Sequence, residues 1–232
     1  RTKLGNNHLQ QFRAAVVFRW FNNIETGRNL LPFLLGETAS LSWACAQVRK
    51  MAANGERILN PAYMIKSPPG MDKATGLFQC IEKLFDYEEL IVSEILEAQR
   101  LYRAHDILKE YPYLGPFMAY QMVCDLRFTP LLENARDVNV WTAPGPGSAR
   151  GISRMKYGHP HGFNYNSKKD QEEIVDYMRH LLSVARLQES YWLKEWPQWE
   201  LSTVQHWCCE YDKYMRVKTG EGTPKQRYRP AS

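Results

Sequence analysis

The chain has 232 residues, 44% of them hydrophobic, with a formal net charge of +5 and a pI near 8.9. That length buries a sizeable core and predicts one domain, spanning 1–232. No run of eighteen apolar residues occurs and RTKLGNNHLQQ has no signal-peptide centre, so neither a membrane span nor secretion is expected and a cytoplasmic location is.

The mild positive charge is compatible with nucleic acid but does not demand it. Five cysteines, Cys45, Cys80, Cys124, Cys208 and Cys209, include no CxxC pair, which predicts reduced thiols and no zinc site.

The predicted elements are helical. Residues 9–24 place Phe12, Val16, Val17 and Trp20 at helical spacing, and Asn22, Asn23 and Gly27 supply stop chemistry. Arg19 or Asn22 would then sit in a polar site beside the core. A second helix over 38–54 is capped by Thr38 or Ser40 and stopped by Gly55. Asn60-Pro61 and Ser67-Pro-Pro-Gly70 break the chain, with a short extended piece at Ala62–Lys66. Two helices are expected in 73–110: Phe78, Ile81, Leu84 and Phe85 form one stripe, and Leu90, Ile91, Ile95 and Leu101 another. Glu88, Glu89, Glu94 and Glu97 would face solvent. A long helix over 170–193 has Asp170 as cap and Ile174, Met178, Leu181, Leu182 and Ala185 inward. A shorter one covers about 202–217, followed by a polar tail over 218–232. The fold class is all-α.

The stretch Leu108–Arg154 concentrates the chemistry. YPYLGPFMAYQMVCDL reads as a short Pro/Gly turn opening a helix, with Met118, Met122, Val123 and Leu126 on its apolar side. With the helix before it, this makes a hairpin of two helices over about 101–127. The alternative is an ordinary αα-hairpin with no ligand. Free N–H groups at the second helix's start would hold phosphate. Downstream lie Asp137 in DVNVW and the run APGPGSARG.

PYLGPFMAY resembles the helix-hairpin-helix of DNA glycosylases, whose usual form is Pro-Gly-Val-Gly-Pro-x-Thr-Ala. Asp137 follows Gly115 by twenty-two residues, near the family's spacing for its catalytic Asp, which a short helix follows. Tyr113 replaces the first glycine. Phe117 stands where bifunctional members carry a lysine nucleophile, so Schiff-base lyase chemistry is not expected. NVWTAPGPGSARGISR (139–154), FRWFNN (18–23) and CCEYDKYMRVKTGEGTPKQRYRP (208–230) together resemble the alpha-glutamyl/putrescinyl thymine pyrophosphorylase family. That group includes amino acid:DNA transferases and the helical domain fused to hydroxymethyluracil DNA kinases. The resemblance implies a helix-hairpin-helix, glycosylase-like helical fold acting on 5-substituted pyrimidines in DNA. It implies transfer of an amino acid or amine onto (pyro)phosphorylated 5-hydroxymethyluracil, as in phage thymidine hypermodification. The alternatives are a monofunctional glycosylase excising a hypermodified pyrimidine in anti-phage defence, and a non-catalytic DNA-binding module.

A base inside a duplex must be flipped out and stacked to be reached. Tyr113, Phe117 and Trp141 are candidate base contacts, with Asn22, Glu210 and Lys213 as contacts to the base or the nucleophile; core packing or a solvated face is the alternative for each. Asp137 would act as proton acceptor or charge stabiliser, with Asn139 beside it, or Asp137 would cap a helix starting at Asn139. Gly115, Gly145, Gly147, Ser148, Arg150 and Arg154 are the expected phosphate or DNA ligands, with APGPGSARG as an anion nest. It is not a P-loop, since no Gly-Lys-Ser/Thr follows. His159 and His161 lack a ligand set, so no metal is expected and no cofactor is required; a divalent ion would arrive with a phosphate group.

Overall fold

A computed structural model describes residues 7–36, 40–60, 67–188 and 195–223. The described residues form helices, turns and loops with no strand. The expected cap Thr38, Pro61 and the piece Ala62–Lys66 lie outside the described residues, as do 189–193 of the long helix and the tail from 224. The chain divides into two compact units, Arg1–Arg136 and Asp137–Ser232.

The first unit is built around α1 (His8–Phe21), which touches α2 (Ile24–Asn29), α3 (Leu31–Leu35), α5 (Lys73–Phe85), α6 (Glu88–Ala98) and α8 (Pro116–Leu126). Phe12, Val16, Val17, Trp20 and Phe21 are all buried, so α1 is apolar over most of its circumference, as a central helix must be. α4 (Leu41–Ala53) packs on α5; the Ser40 hydroxyl caps it by accepting from the Trp43 N–H at 3.1 Å.

Residues 73–110 hold three helices, not two: α5, α6 and α7 (Leu101–Lys109). Gln99 breaks the run by entering the left-handed region at φ 44°, and its N–H donates to Ile95 O at 3.1 Å. Leu101 therefore belongs to α7, and Leu90 is exposed. Glu88 does not face solvent. It is buried and accepts from the Arg13 guanidinium on α1, with Nε at 2.8 Å. Glu89, Glu94 and Glu97 are exposed as expected.

In the second unit, α9 (Pro146–Tyr157), α10 (Lys168–Leu187) and α11 (Leu201–Lys218) enclose a core of Ala149, Ile152, Ile174, Met178, Leu182, Leu201, Val204 and Cys208. Ser167, not Asp170, is the N-cap of α10: its hydroxyl accepts from the Asp170 N–H at 3.3 Å. The helix begins two residues earlier than expected, which leaves Asp170 near the positive end of the helix dipole.

α9 and α11 approach closely because α9 carries glycines four residues apart. A Cβ at Gly147 would lie 3.1 Å from Cys209 Sγ, and one at Gly151 would overlap the Cys208 carbonyl oxygen. A backbone oxygen cannot rotate away as a side chain can. Gly151→Ala should therefore force the helices apart and destabilise the protein by about 3 kcal/mol, checked by urea unfolding with Ala149→Gly as a cavity-forming comparison.

Candidate functional site

The FRWFNN segment builds one wall of a cavity in the first unit. α1 ends because Asn22 turns left-handed at φ 47°, its N–H donating to Phe18 O at 2.7 Å. Asparagine tolerates that conformation better than most residues. Asn23 then caps α2: its side-chain oxygen accepts from the N–H groups of Glu25 and Thr26 at 2.9 and 3.2 Å, and its Nδ2 donates to Arg57 O at 2.6 Å. Arg19, one turn before, reaches the end of α8, where Nε and one terminal nitrogen hold the two Asp125 oxygens at 2.6 and 2.5 Å. Beyond α8 the chain folds tightly, with the Thr129 hydroxyl donating to Leu126 O at 2.7 Å and Arg127 donating to Glu133 O at 2.8 Å.

These turns enclose about 880 Å³, within the ~300–1,000 Å³ of small-molecule sites. Ala14, Ala15, Phe18, Phe128 and Pro130 supply apolar wall, and Arg19, Asn22, Arg57, Asp125 and Glu133 supply polar groups. Arg19 and Asp125 are committed to each other. The Asn22 carboxamide and the Glu133 carboxylate make no side-chain hydrogen bond among the described residues, and Arg57 donates only from Nε, to Leu59 O at 3.2 Å. The cavity thus presents an amide, a cation and an anion, each with capacity to spare.

Of the site residues expected from sequence, Arg19 and Asn22 line this cavity and the others do not. Tyr113 and Phe117 stand exposed at the tip of the α7–α8 hairpin. Tyr113 adopts φ 67°, the conformation that a glycine supplies most easily, and Gly115 is the N-cap of α8 with open space around it.

In the second unit, Asp137 is 4% exposed and lies in a turn: its carbonyl oxygen accepts from the N–H groups of Val140 and Trp141, both at 2.9 Å. No helix starts at Asn139, because the chain leaves the turn at Trp141 and does not resume a helix until Pro146. Asn139 is exposed and accepts from Arg186 at 2.7 Å; Trp141 is half-buried.

The Pro/Gly run is not a loop nest. Gly145 is the N-cap of α9 and residues from Pro146 onward are already helical, with Gly147 packed on α11. The Ser148 hydroxyl is buried and is used locally, accepting from Gly145 N–H and donating to Gly145 O, both at 3.0 Å.

Arg150 and Arg154 converge on one buried carboxylate. Arg150 Nε donates to Asp212 Oδ2 at 2.8 Å and Arg154 Nε to Asp212 Oδ1 at 3.0 Å, while the Arg154 terminal nitrogens hold Glu221 at 3.1 and 2.5 Å. Arg154 is buried and spends its charge inside the protein; Arg150 keeps part of its side chain in solvent. Of the charged cluster on α11, Asp212 points inward, whereas Glu210 and Lys213 are exposed and pair with each other at 2.5 Å. Burial pushes the Cys208 thiol up to about 12, so it offers no thiolate at neutral pH. Among the described residues, no three His, Cys, Asp or Glu side chains converge as a metal site. No described helix is long and apolar enough to cross a membrane.

The family described as 5-hmdU DNA kinase, helical domain, matches residues 5–223. The chain belongs to this family. The match takes in both units, so the cavity and the Asp212 cluster both lie in the helical domain that the family defines. No curated protein and no solved structure matches the chain.

The Arg154–Glu221 pair has a pH signature. The guanidinium, helped by the Thr219 hydroxyl, pulls the Glu221 carboxyl down from an ordinary 4.5 to about 2. A depressed carboxylate stabilises the fold fully above its unfolded value and loses that contribution as pH falls through the folded one. Wild type should therefore exceed Glu221→Gln in stability at pH 6. The difference should shrink between pH 4.5 and 2 and be gone below it, measured by denaturant midpoints across that range.

Proposed function

We propose that this chain acts on a flipped-out 5-substituted pyrimidine in DNA and transfers an amino acid or other amine onto (pyro)phosphorylated 5-hydroxymethyluracil. The observation that carries this reading is the cavity with three polar groups of different kinds that keep hydrogen-bonding capacity to spare, Asn22, Arg57 and Glu133. A carboxamide offers a donor and an acceptor side by side, the complement of uracil O4 and N3–H. A guanidinium suits a phosphate leaving group. A carboxylate accepts the proton an amine must lose. In the reaction a bond forms from the amine nitrogen to the exocyclic carbon on C5, the carbon–oxygen bond to the phosphate group breaks, and (pyro)phosphate departs with the electron pair. Phe18 and Phe128 provide the apolar surface on which a base would stack. The family's name supports the substrate class, since it refers to DNA containing 5-hydroxymethyldeoxyuridine.

The hairpin of α7 and α8 supports a DNA-binding role. Tyr113 adopts a left-handed φ of 67° at the position where the helix-hairpin-helix pattern carries a glycine, which supports this reading of the turn. Such a turn brings the N–H groups at the start of α8 toward a DNA phosphate. We assign Asp125, held by Arg19, to orienting the base.

Nucleoside mass spectrometry tests this. DNA carrying 5-hydroxymethyluracil or its phosphorylated and pyrophosphorylated forms is incubated with the protein and a pool of amino acids and polyamines. The expected product is a heavier nucleoside with its sugar bond intact and phosphate released. Free base with abasic DNA would replace transfer by base excision. Tight binding of modified DNA with neither product would make the chain a base-presenting module of a kinase complex.

A further inference from the structure

One face of α11 is unlike the rest of the second unit's surface. Trp207, Tyr211, Tyr214 and Lys218 recur at the spacing that aligns side chains along one side of a helix. Trp207 is 50% and Tyr214 60% exposed and Tyr211 is half-buried, while Val204, Cys208 and Asp212 on the adjoining face are buried. The rings are ordered: Trp207 and Tyr211 lie within 17° of parallel with centroids 6.1 Å apart, and Lys218 Nζ sits 5.9 Å from the Tyr214 ring centroid. The row spans roughly 16 Å at 1.5 Å per residue.

We infer that this aromatic row on α11 is a stacking platform for unpaired bases of single-stranded DNA, separate from the cavity of the first unit. Parallel, solvent-facing rings bind bases of any sequence, since every base has a flat π-face. The charge matches a nucleic-acid occupant. The last turn of α11 carries Arg216 and Lys218, and neither makes an ion pair among the described residues. Of the nearby acids, Glu210 is neutralised by Lys213 and Glu221 by Arg154. A protein partner would find aromatic area here too, but a cationic end without free carboxylates favours a phosphate backbone. The inference rests on the reading that the chain works on DNA, yet it requires neither a modified base nor turnover.

The test uses the full chain and an unmodified mixed-sequence oligonucleotide, as a single strand and as a duplex, with binding followed by fluorescence anisotropy. Wild type should bind the single strand more tightly. Trp207→Ala should weaken single-strand binding by about 5- to 100-fold, the range for losing one base–aromatic stack, and leave duplex binding within about twofold. Trp207→Phe, which keeps a π-face, should recover most of the loss. Melting curves of the exposed-site variants should match wild type. Unchanged single-strand binding in Trp207→Ala and Tyr214→Ala overturns the inference. So does a concentration-dependent dimer, seen by sedimentation, that Trp207→Ala abolishes while single-strand affinity stays unchanged; that result would give the row to a second copy of the chain. If modified DNA yields no product while the Trp207→Ala loss is observed, the proposed reaction fails and the stacking platform stands.

Discussion

Asp212→Ala should destabilise the protein by about 3–5 kcal/mol, the largest stability loss expected of any single substitution on α11. Asp212 is buried and receives one guanidinium on each oxygen, Arg150 on Oδ2 and Arg154 on Oδ1. Removing it leaves Arg154, itself buried, with only Glu221. An uncompensated buried charge is far more costly than a lost surface pair, because water cannot replace the missing partner. Asp212→Asn should lose less, since an amide oxygen still accepts one hydrogen bond. Glu210→Ala, two residues away, removes an exposed pair with Lys213 and should change stability by less than about 0.5 kcal/mol. Guanidinium unfolding of the three variants checks the ordering. Equal losses in Asp212→Ala and Glu210→Ala would show that the cluster carries no buried charge.

Asn22→Gly should lower kcat/KM on the modified base by about 10- to 100-fold, the worth of one paired hydrogen-bonding contact to a base edge, without unfolding the protein. Glycine is the informative substitution here. Asn22 sits at φ 47°, where alanine would add backbone strain and confuse a lost contact with a distorted turn. Glycine keeps the turn and its N–H bond to Phe18 O, so only the carboxamide is removed. Asn22→Asp keeps the shape but exchanges the donor for a second acceptor, and should lose at least as much against uracil O4. Wild-type kcat/KM in Asn22→Gly, on the product identified by mass spectrometry, would remove Asn22 from base recognition and the cavity with it.

Much of the fold was legible because apolar spacing and capping chemistry are local. The α1 stripe, its stop at Asn22, the Ser40 cap and the inward row Ile174, Met178 and Leu182 all follow from residues a few positions apart. The break between α6 and α7 was not, because Gln99 enters the left-handed region without a glycine or proline to mark it. In APGPGSARG the glycines suggested a loop. Gly147 and Gly151 are four apart, however, and that spacing places small residues on one side of a helix, the pattern of a close helix contact. Of the cavity, Arg19 and Asn22 could be singled out because they end an apolar helix. Arg57, Asp125 and Glu133 could not: each comes from a different part of the first unit, and an isolated charge in a sequence resembles any solvated one. Glu88 shows the converse, an acid that sequence places in water and Arg13 draws into the core.

The contact between Gly151 and the Cys208 carbonyl has a consequence for the other side of α11. A helix seated backbone-to-backbone on its neighbour cannot roll or slide to suit a ligand. Trp207 and Tyr211 are therefore fixed in direction before any strand arrives. Nearly all the conformational freedom lost on association belongs to the nucleic acid, and little to the protein. Affinity should accordingly rise with oligonucleotides whose bases are already stacked in solution. Purine-rich strands should dissociate more slowly than pyrimidine-rich strands of the same length.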